Sequence, residues 1–136
     1  MAVTFTTIYL CDLRTRMVHG PSCTVVETDA PVDNHGKGER FSPTDLVASA
    51  LGSCMLTIMG IVAKRDGIVL DGTVVAVEKH MTSAPPRRIA KLVVQFAMAA
   101  GITVDARTKL KKAAHTCPVA LSLHPDVQQV VSFAWL

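Results

Sequence analysis

The residues of this 136-residue chain that are best suited to redox chemistry are its four cysteines, Cys11, Cys23, Cys54 and Cys117. The reactive form of cysteine is the thiolate, which forms near neutral pH only beside a cation, a metal or a helix N-terminus. No C-x-x-C pair occurs. Cys11 and Cys23 fall in predicted strands without basic neighbours, so we expect structural or incidental roles for them. In a reducing compartment, a disulfide between any two of these thiols would be transient and redox-active.

Cys54 and Cys117 occupy different environments. Cys54 lies in the third turn of a predicted helix, within an uncharged stretch at residues 46–63. An apolar setting disfavours the thiolate, so a buried, inert cysteine is the simpler interpretation of this position alone. Reactivity there requires a cation from elsewhere in the fold. Cys117 lies between Thr116 and Pro118 at the start of another predicted helix, where free amides favour an anion, and it is the better local candidate for a thiolate.

Metal and phosphate chemistry find little support in the sequence. His115, Cys117 and His124 do not form the two close ligand pairs of a structural zinc site. Phosphate-binding loops, G-x-S-x-G and H-E-x-x-H are absent. We therefore expect neither a metal nor an organic cofactor.

The elements that must position the cysteines indicate an α+β domain. The Ser42-Pro43-Thr44-Asp45 segment has the residue types of a helix start, and the helix is predicted to run to about Asp66 and to stop at Gly67. The other predicted elements are antiparallel strands from residues 4–10 and 23–28, a loop at 29–41, a hairpin of 73–80 with 89–98, an amphipathic helix at 104–115, a short helix near 118–124 and a last strand at 127–135.

The predicted long helix is apolar on all sides, which is typical of a helix buried on all sides. A membrane span is the alternative, but interspersed serine, threonine and glycine residues and flanking amphipathic strands disfavour it. Ala48, Gly52 and Gly60 are small enough for another element to approach closely. We therefore expect this helix at the centre of the domain or of a dimer.

Composition narrows the class of protein. Apolar residues make up 49% of the chain and charged residues 18%, which excludes intrinsic disorder and favours one domain, residues 1–136, in an oligomer. A net charge of +3 with 4% aromatic residues gives no basis for nucleic-acid binding. The N-terminal residues lack a basic start and a long apolar segment, so we expect a cytoplasmic protein.

Two segments together, SPTDLVASALGSCMLTIMG and the later TCPVALSL, resemble the OsmC/Ohr family, the osmotically inducible and organic hydroperoxide resistance proteins. The similarity extends over nearly the whole chain. It implies an intertwined homodimer in which long central helices are buried between antiparallel sheets from both subunits, with two active sites near the interface.

The resemblance also implies thiol peroxidase activity. Cys54 would attack the O–O bond of an organic hydroperoxide and become a sulfenic acid, and Cys117 would resolve it as an intramolecular disulfide. The product would be an alcohol. An external dithiol, in the family often a lipoyl-bearing protein, would reduce the disulfide. An apolar pocket would favour organic hydroperoxides over hydrogen peroxide.

The chain departs from the family pattern at the residues that activate the thiolate. Family members supply an arginine held by a glutamate, but Thr44 stands where a glutamate is often found, and the usual glycine-flanked arginine is missing. Arg40, adjacent to Glu39, is the best replacement, and Arg14 or Arg16 is a weaker one. These departures indicate a divergent branch.

Two other functions remain open at this point. The first is a dimeric protein of the same fold that binds a small lipid-like ligand and uses Cys54 only for packing. The second is a hotdog-type thioesterase, which also wraps a sheet around a long helix. No obvious catalytic carboxylate lies on the predicted helix, because Asp45 serves its cap.

Overall fold

The structure, a computed structural model, describes all 136 residues. The chain forms two compact units, Met1–Val47 and Ala48–Leu136, although its composition shows no boundary there. The elements confirm the predicted α+β class. They are β1 (Phe5–Cys11), β2 (Arg14–His19), β3 (Val25–Asp29), a 3-10 turn (Val32–Asn34), α1 (Pro43–Asp66), β4 (Val74–Met81), β5 (Ile89–Ala97), α2 (Val104–Ala114), α3 (Pro118–Ser122) and β6 (Gln128–Ala134).

The first unit contains an antiparallel sheet in the order β1-β2-β3. Asp12 and Leu13 connect β1 to β2 with φ values of 51° and 63°, as expected for a two-residue hairpin turn that matches the twist of the strands. Cys11 ends β1, as predicted. Cys23 does not lie in a strand: its φ is 59°, a left-handed conformation that a strand cannot accommodate, and it belongs to the β2–β3 turn.

The start and end of α1 follow from local signals in the sequence. The Ser42 hydroxyl accepts a hydrogen bond from the Asp45 amide (3.1 Å), and the Asp45 carboxylate accepts one from the Ser42 amide (2.8 Å). This reciprocal pair is a capping box, with Pro43 at the first helical position. At the other end the helix stops at Asp66, and Gly67 takes a φ of 69°. Both predicted boundaries are confirmed.

Within the second unit, α1 contributes one side to the core. Leu51, Met55, Met59 and Ala63 are buried there, whereas Ile61 is 62% exposed. The most apolar 18-residue window of the helix has a mean hydropathy of 2.1, so its length and composition would suffice to cross a membrane, a property that it shares with core helices of soluble proteins.

The second unit also contains a sheet in the order β4-β5-β6. β4 and β5 form the predicted antiparallel hairpin, and β6 pairs with β5 in parallel. A parallel pair needs a long crossover, which the chain supplies with α2 and α3. Phe96 of β5 stacks on Phe133 of β6 with ring centroids 4.9 Å apart.

The crossover helix α2 is amphipathic, as predicted. Thr103 caps it by accepting a hydrogen bond from the Ala106 amide (3.3 Å). Its buried side consists of Ala106, Leu110, Ala113 and Ala114. The basic residues Lys109, Lys111 and Lys112 are exposed. The short α3 follows, and its N-cap residue, Cys117, is buried in the same core.

Candidate active site

Cys54 lies midway along α1 and is partly buried against the core of the second unit. Two residues earlier, Gly52 allows β4 to lie very close to the helix. A Cβ atom at Gly52 would be 2.7 Å from Val77 Cγ2 and 3.3 Å from Val75 Cγ2, so a side chain there would displace the strand. The small residues predict that another element lies close to the helix, and β4 does so at Gly52. At Gly60 no element comes as close, because a Cβ atom there would have no neighbour within 4 Å.

Cys117 occupies the N-cap position of α3 and is fully buried. Its Sγ accepts a hydrogen bond from the Ala120 amide at 3.2 Å, and Pro118 takes the first helical position. Burial raises the pKa of the Cys117 thiol above its usual range, and the Ala120 and Val119 amides oppose this rise only partly. Contrary to the local prediction, the helix terminus therefore does not lower the pKa of the Cys117 thiol, because desolvation outweighs the amides.

The side chains of Cys54 and Cys117 interact directly. In addition to burial, a hydrogen bond with the Cys54 side chain and the charge that Cys54 can carry raise the pKa of Cys117. The two thiols are therefore neighbours in the core of the second unit. The fold thus brings together the two cysteines of the separate sequence motifs. Cys11 and Cys23 are exposed free thiols in the first unit.

A network of charged side chains forms in the first unit around Asp29. Arg14 donates two hydrogen bonds to the Asp29 carboxylate, from Nε (2.7 Å) and Nη2 (2.9 Å), and a third to Glu39 Oε2 (3.0 Å). The Glu39 amide also donates to Asp29 (3.0 Å). The Arg14 guanidinium lowers the pKa of Asp29, so this carboxylate, which is only 1% exposed, stays ionised.

The hydrogen bonds of Arg40 differ from those that the sequence suggests. Its Nε donates to Glu27 Oε2 (3.2 Å) and its Nη1 to the backbone carbonyl of Glu39 (3.2 Å). The Glu39 carboxylate is bound to Arg14 instead. A role for Arg40 and Glu39 at the reactive thiol stays a prediction; in this structure Glu39 holds Arg14, and Glu27 holds Arg40.

Sequence reasoning did not single out Asp29. The signal that reveals it is the strand register, in which Arg14 and Asp29 are direct cross-strand partners on β2 and β3. Opposite charges in that position attract each other across a sheet. This register depends on the β2–β3 turn, and the residues of that turn give a weak signal for its exact length.

The described residues contain no group of three or more His, Cys, Asp or Glu side chains arranged to hold a metal ion. The model of the family described as OsmC-like protein matches residues 36–131. The chain belongs to the OsmC-like family. The match includes both Cys54 and Cys117, so the two interacting thiols lie inside the part that defines the family.

Solved structures resemble this OsmC-like protein over almost its whole length. One, from Psychrobacter arcticus 273-4 and provisionally named an osmotic stress induced and detoxification response protein, is 42% identical, covers 98% of this chain and 97% of its own, and has a TM-score of 0.93. A comparison with curated proteins finds no match.

Two more distant structures share the fold. An organic hydroperoxide resistance protein OsmC from Legionella pneumophila is 15% identical, with 98% and 97% of the two chains covered and a TM-score of 0.78. An organic hydroperoxide resistance protein from Elizabethkingia anophelis is 14% identical, with 100% and 97% covered and a TM-score of 0.79. At these identities the likeness establishes the OsmC-like fold alone.

Proposed function

We propose that this OsmC-like protein is a cysteine-based thiol peroxidase that reduces organic hydroperoxides to alcohols in the cytoplasm. The observation that carries the proposal is the direct interaction between Cys54 and Cys117, two free thiols from separate motifs. Family membership and the names of the Legionella and Elizabethkingia neighbours support a redox or peroxide-related role.

The proposed reaction has two steps on the protein. The Cys54 thiolate attacks the O–O bond of the hydroperoxide, forms an S–O bond and becomes a sulfenic acid, while the alkoxide leaves and takes up a proton to give the alcohol. Cys117 then attacks the Cys54 sulfur, which releases water and leaves a disulfide. An external dithiol, such as a lipoyl group on a partner protein, returns both cysteines to thiols and becomes a disulfide itself.

The order of the two cysteines follows from burial. Cys117 is completely buried and its pKa is raised, so it is a poor first nucleophile for a peroxide. Cys54 is only partly buried and is the better entry point for the substrate. Cys117 is then held ready beside the sulfenic acid, as a resolving cysteine must be.

Activation of Cys54 requires a cation, and Arg40 and Arg14 are two of the candidates from the sequence. Arg14 is fixed by Asp29 and Glu39, whereas Arg40 pairs with Glu27 and is more exposed. The paired variants Arg14→Ala and Arg40→Ala test them. The arginine whose loss abolishes peroxide reactivity is the activating one, and full reactivity in both variants removes both from the site.

We propose further that the protein works as a homodimer. Ile8, Leu10 and Val25 share one face of the first sheet, and they are 51%, 44% and 42% exposed in the single chain. β1 also has a free edge, since its only partner is β2. A second copy would remove this apolar surface from water. Light scattering that shows a stable monomer at micromolar concentration would contradict this part of the proposal.

The deciding experiment measures consumption of tert-butyl hydroperoxide, a fatty-acid hydroperoxide and hydrogen peroxide, with dithiothreitol or dihydrolipoamide as the electron donor. We expect turnover with the organic substrates, a Cys54–Cys117 disulfide by peptide mass mapping without reductant, and a trapped Cys54 sulfenic acid in Cys117→Ala. Cys23→Ala is the matched control, because Cys23 is an exposed thiol in the other unit. A protein that forms neither product with any peroxide is not a peroxidase, and a non-catalytic protein that binds a lipid-like ligand then becomes the better description.

A further inference from the structure

A serine and a histidine that the redox chemistry does not use are in close contact at the β2–β3 turn. Ser22 Oγ lies 2.6 Å from His19 Nδ1, and the Ser22 amide also donates to that nitrogen (3.3 Å). Because an amide can only donate, Nδ1 is the unprotonated nitrogen of the ring. The hydroxyl proton of Ser22 is then directed at a basic nitrogen, which is the arrangement of a serine nucleophile with its general base.

The backbone of the turn holds this pair in place. The His19 amide donates to the Thr24 carbonyl (2.9 Å), and the Cys23 amide donates to the His19 carbonyl (2.8 Å). The Thr24 amide donates to Ser22 Oγ (3.3 Å), and the Thr24 hydroxyl lies 2.8 Å from the same atom. Ser22 Oγ is therefore fixed by groups on both sides.

An apolar cavity opens beside the pair. It has a volume of about 470 Å³, and its walls include Phe5, Met17, Val18 and Val26 together with His19 and Ser22. The Phe5 ring lies against the His19 ring, with centroids 5.6 Å apart. A cavity of this size and lining suits a short hydrocarbon chain, with the polar pair at one end of it.

We propose that Ser22 and His19 form a second, esterolytic site that accepts carboxylic esters with a short apolar acyl chain. The acyl chain occupies the cavity and its carbonyl carbon faces Ser22 Oγ. Ser22 Oγ bonds to that carbon and gives its proton to His19 Nδ1. The bond to the leaving oxygen breaks, and the alcohol takes the proton from His19. Water then hydrolyses the Ser22 ester by the same route and releases the carboxylic acid, so no oxidant or reductant is needed.

The first test is labelling with an alkyl fluorophosphonate, which reacts with activated serines and hardly with thiols. We expect the label on Ser22, at least about tenfold less labelling in His19→Gln, and none in Ser22→Ala. Two control variants should label like the original chain: Ser132→Ala, which removes an exposed serine from β6, and Cys23→Ala, which removes the thiol next to Ser22. Circular dichroism checks that each variant is folded.

The second test is hydrolysis of p-nitrophenyl butyrate before and after treatment with the fluorophosphonate. The part of the hydrolysis rate that the fluorophosphonate abolishes is the serine-dependent rate. The part that remains includes any background reaction of the thiols. We expect a fluorophosphonate-sensitive rate of hydrolysis in the original chain, in Ser132→Ala and in Cys23→Ala. We expect this rate to be lost in Ser22→Ala and His19→Gln. The proposal is overturned if the folded original chain carries no label on Ser22. It is also overturned if the fluorophosphonate-sensitive rate is unchanged in Ser22→Ala.

Discussion

Replacing Gly52 by alanine tests whether the close packing of β4 on the cysteine-bearing helix is specific to that residue. A new Cβ atom would lie 2.7 Å from Val77 Cγ2, about 0.7 Å short of an ordinary contact. Valine has one rotatable bond and adjusts poorly, so β4 or its side chains must move. We therefore expect Gly52→Ala to strain the second unit around Cys54.

The size of the effect follows from two opposing contributions to the free energy of unfolding. Forcing an extra methyl group into a packed site costs about 1–3 kcal/mol. Replacing a glycine inside a helix by alanine gains about 1 kcal/mol. Gly52→Ala should thus lower the free energy of unfolding by about 0–2 kcal/mol. Gly60→Ala in the same helix should raise it by about 1 kcal/mol, because a Cβ atom there has no neighbour within 4 Å.

Urea denaturation followed by circular dichroism, at one fixed protein concentration, measures both variants. The comparison is made between the two alanine variants, since both share the gain in helix propensity. We expect Gly52→Ala to be less stable than Gly60→Ala by about 1–3 kcal/mol. If Gly52→Ala is as stable as Gly60→Ala, the strand does not depend on the glycine and the packing argument fails.

Three further predictions concern the charged network and the buried thiol. Cys117→Ala removes the side-chain atom that accepts the capping hydrogen bond of α3, whereas Cys117→Ser keeps an acceptor there. Urea denaturation should therefore find Cys117→Ala less stable than Cys117→Ser by about 0.5–1 kcal/mol. Equal stabilities would refute the capping role. Because Arg14 lowers the pKa of Asp29, the ionised carboxylate stabilises the fold above its unfolded pKa of about 3.9, and this stability is lost as the pH falls through the lower folded value. As the pH falls, the free energy of unfolding should therefore decrease less in Asp29→Asn than in the original chain. An unchanged dependence on pH in this acid range would contradict the assignment. Because Cys117 is buried and its pKa is raised, iodoacetamide at pH 8 should alkylate the exposed Cys23 well before Cys117; mass mapping that finds comparable rates would show that Cys117 is accessible.

The parts of the fold that the sequence predicts well depend on local signals. The capping box at Ser42 and Asp45 and the glycine after Asp66 determine the ends of α1 without help from distant residues. Alternating apolar residues likewise identify the β4–β5 hairpin and β6. The strand prediction for Cys23 is wrong because a positive φ in a residue other than glycine has no clear sequence signature.

The candidate site could be predicted only in part, since its geometry depends on contacts distant in sequence. Spacing alone does not show that Cys54 and Cys117 interact, and only the family resemblance paired them. The Arg14–Asp29 pair depends on the register of two strands. The raised pKa of Cys117 differs from the local prediction because burial, which a sequence shows poorly, outweighs the amides of α3.

The parallel pairing of β5 and β6 has a consequence for how the protein is made. Cys117 lies on the connection between these strands, and parallel pairing over a long connection is slow compared with the formation of a hairpin. During synthesis Cys54 emerges first, so a nascent chain exposes this thiol before its partner has a fixed position. The neighbourhood of Cys54 and Cys117 is therefore complete only after the crossover that carries Cys117 has folded.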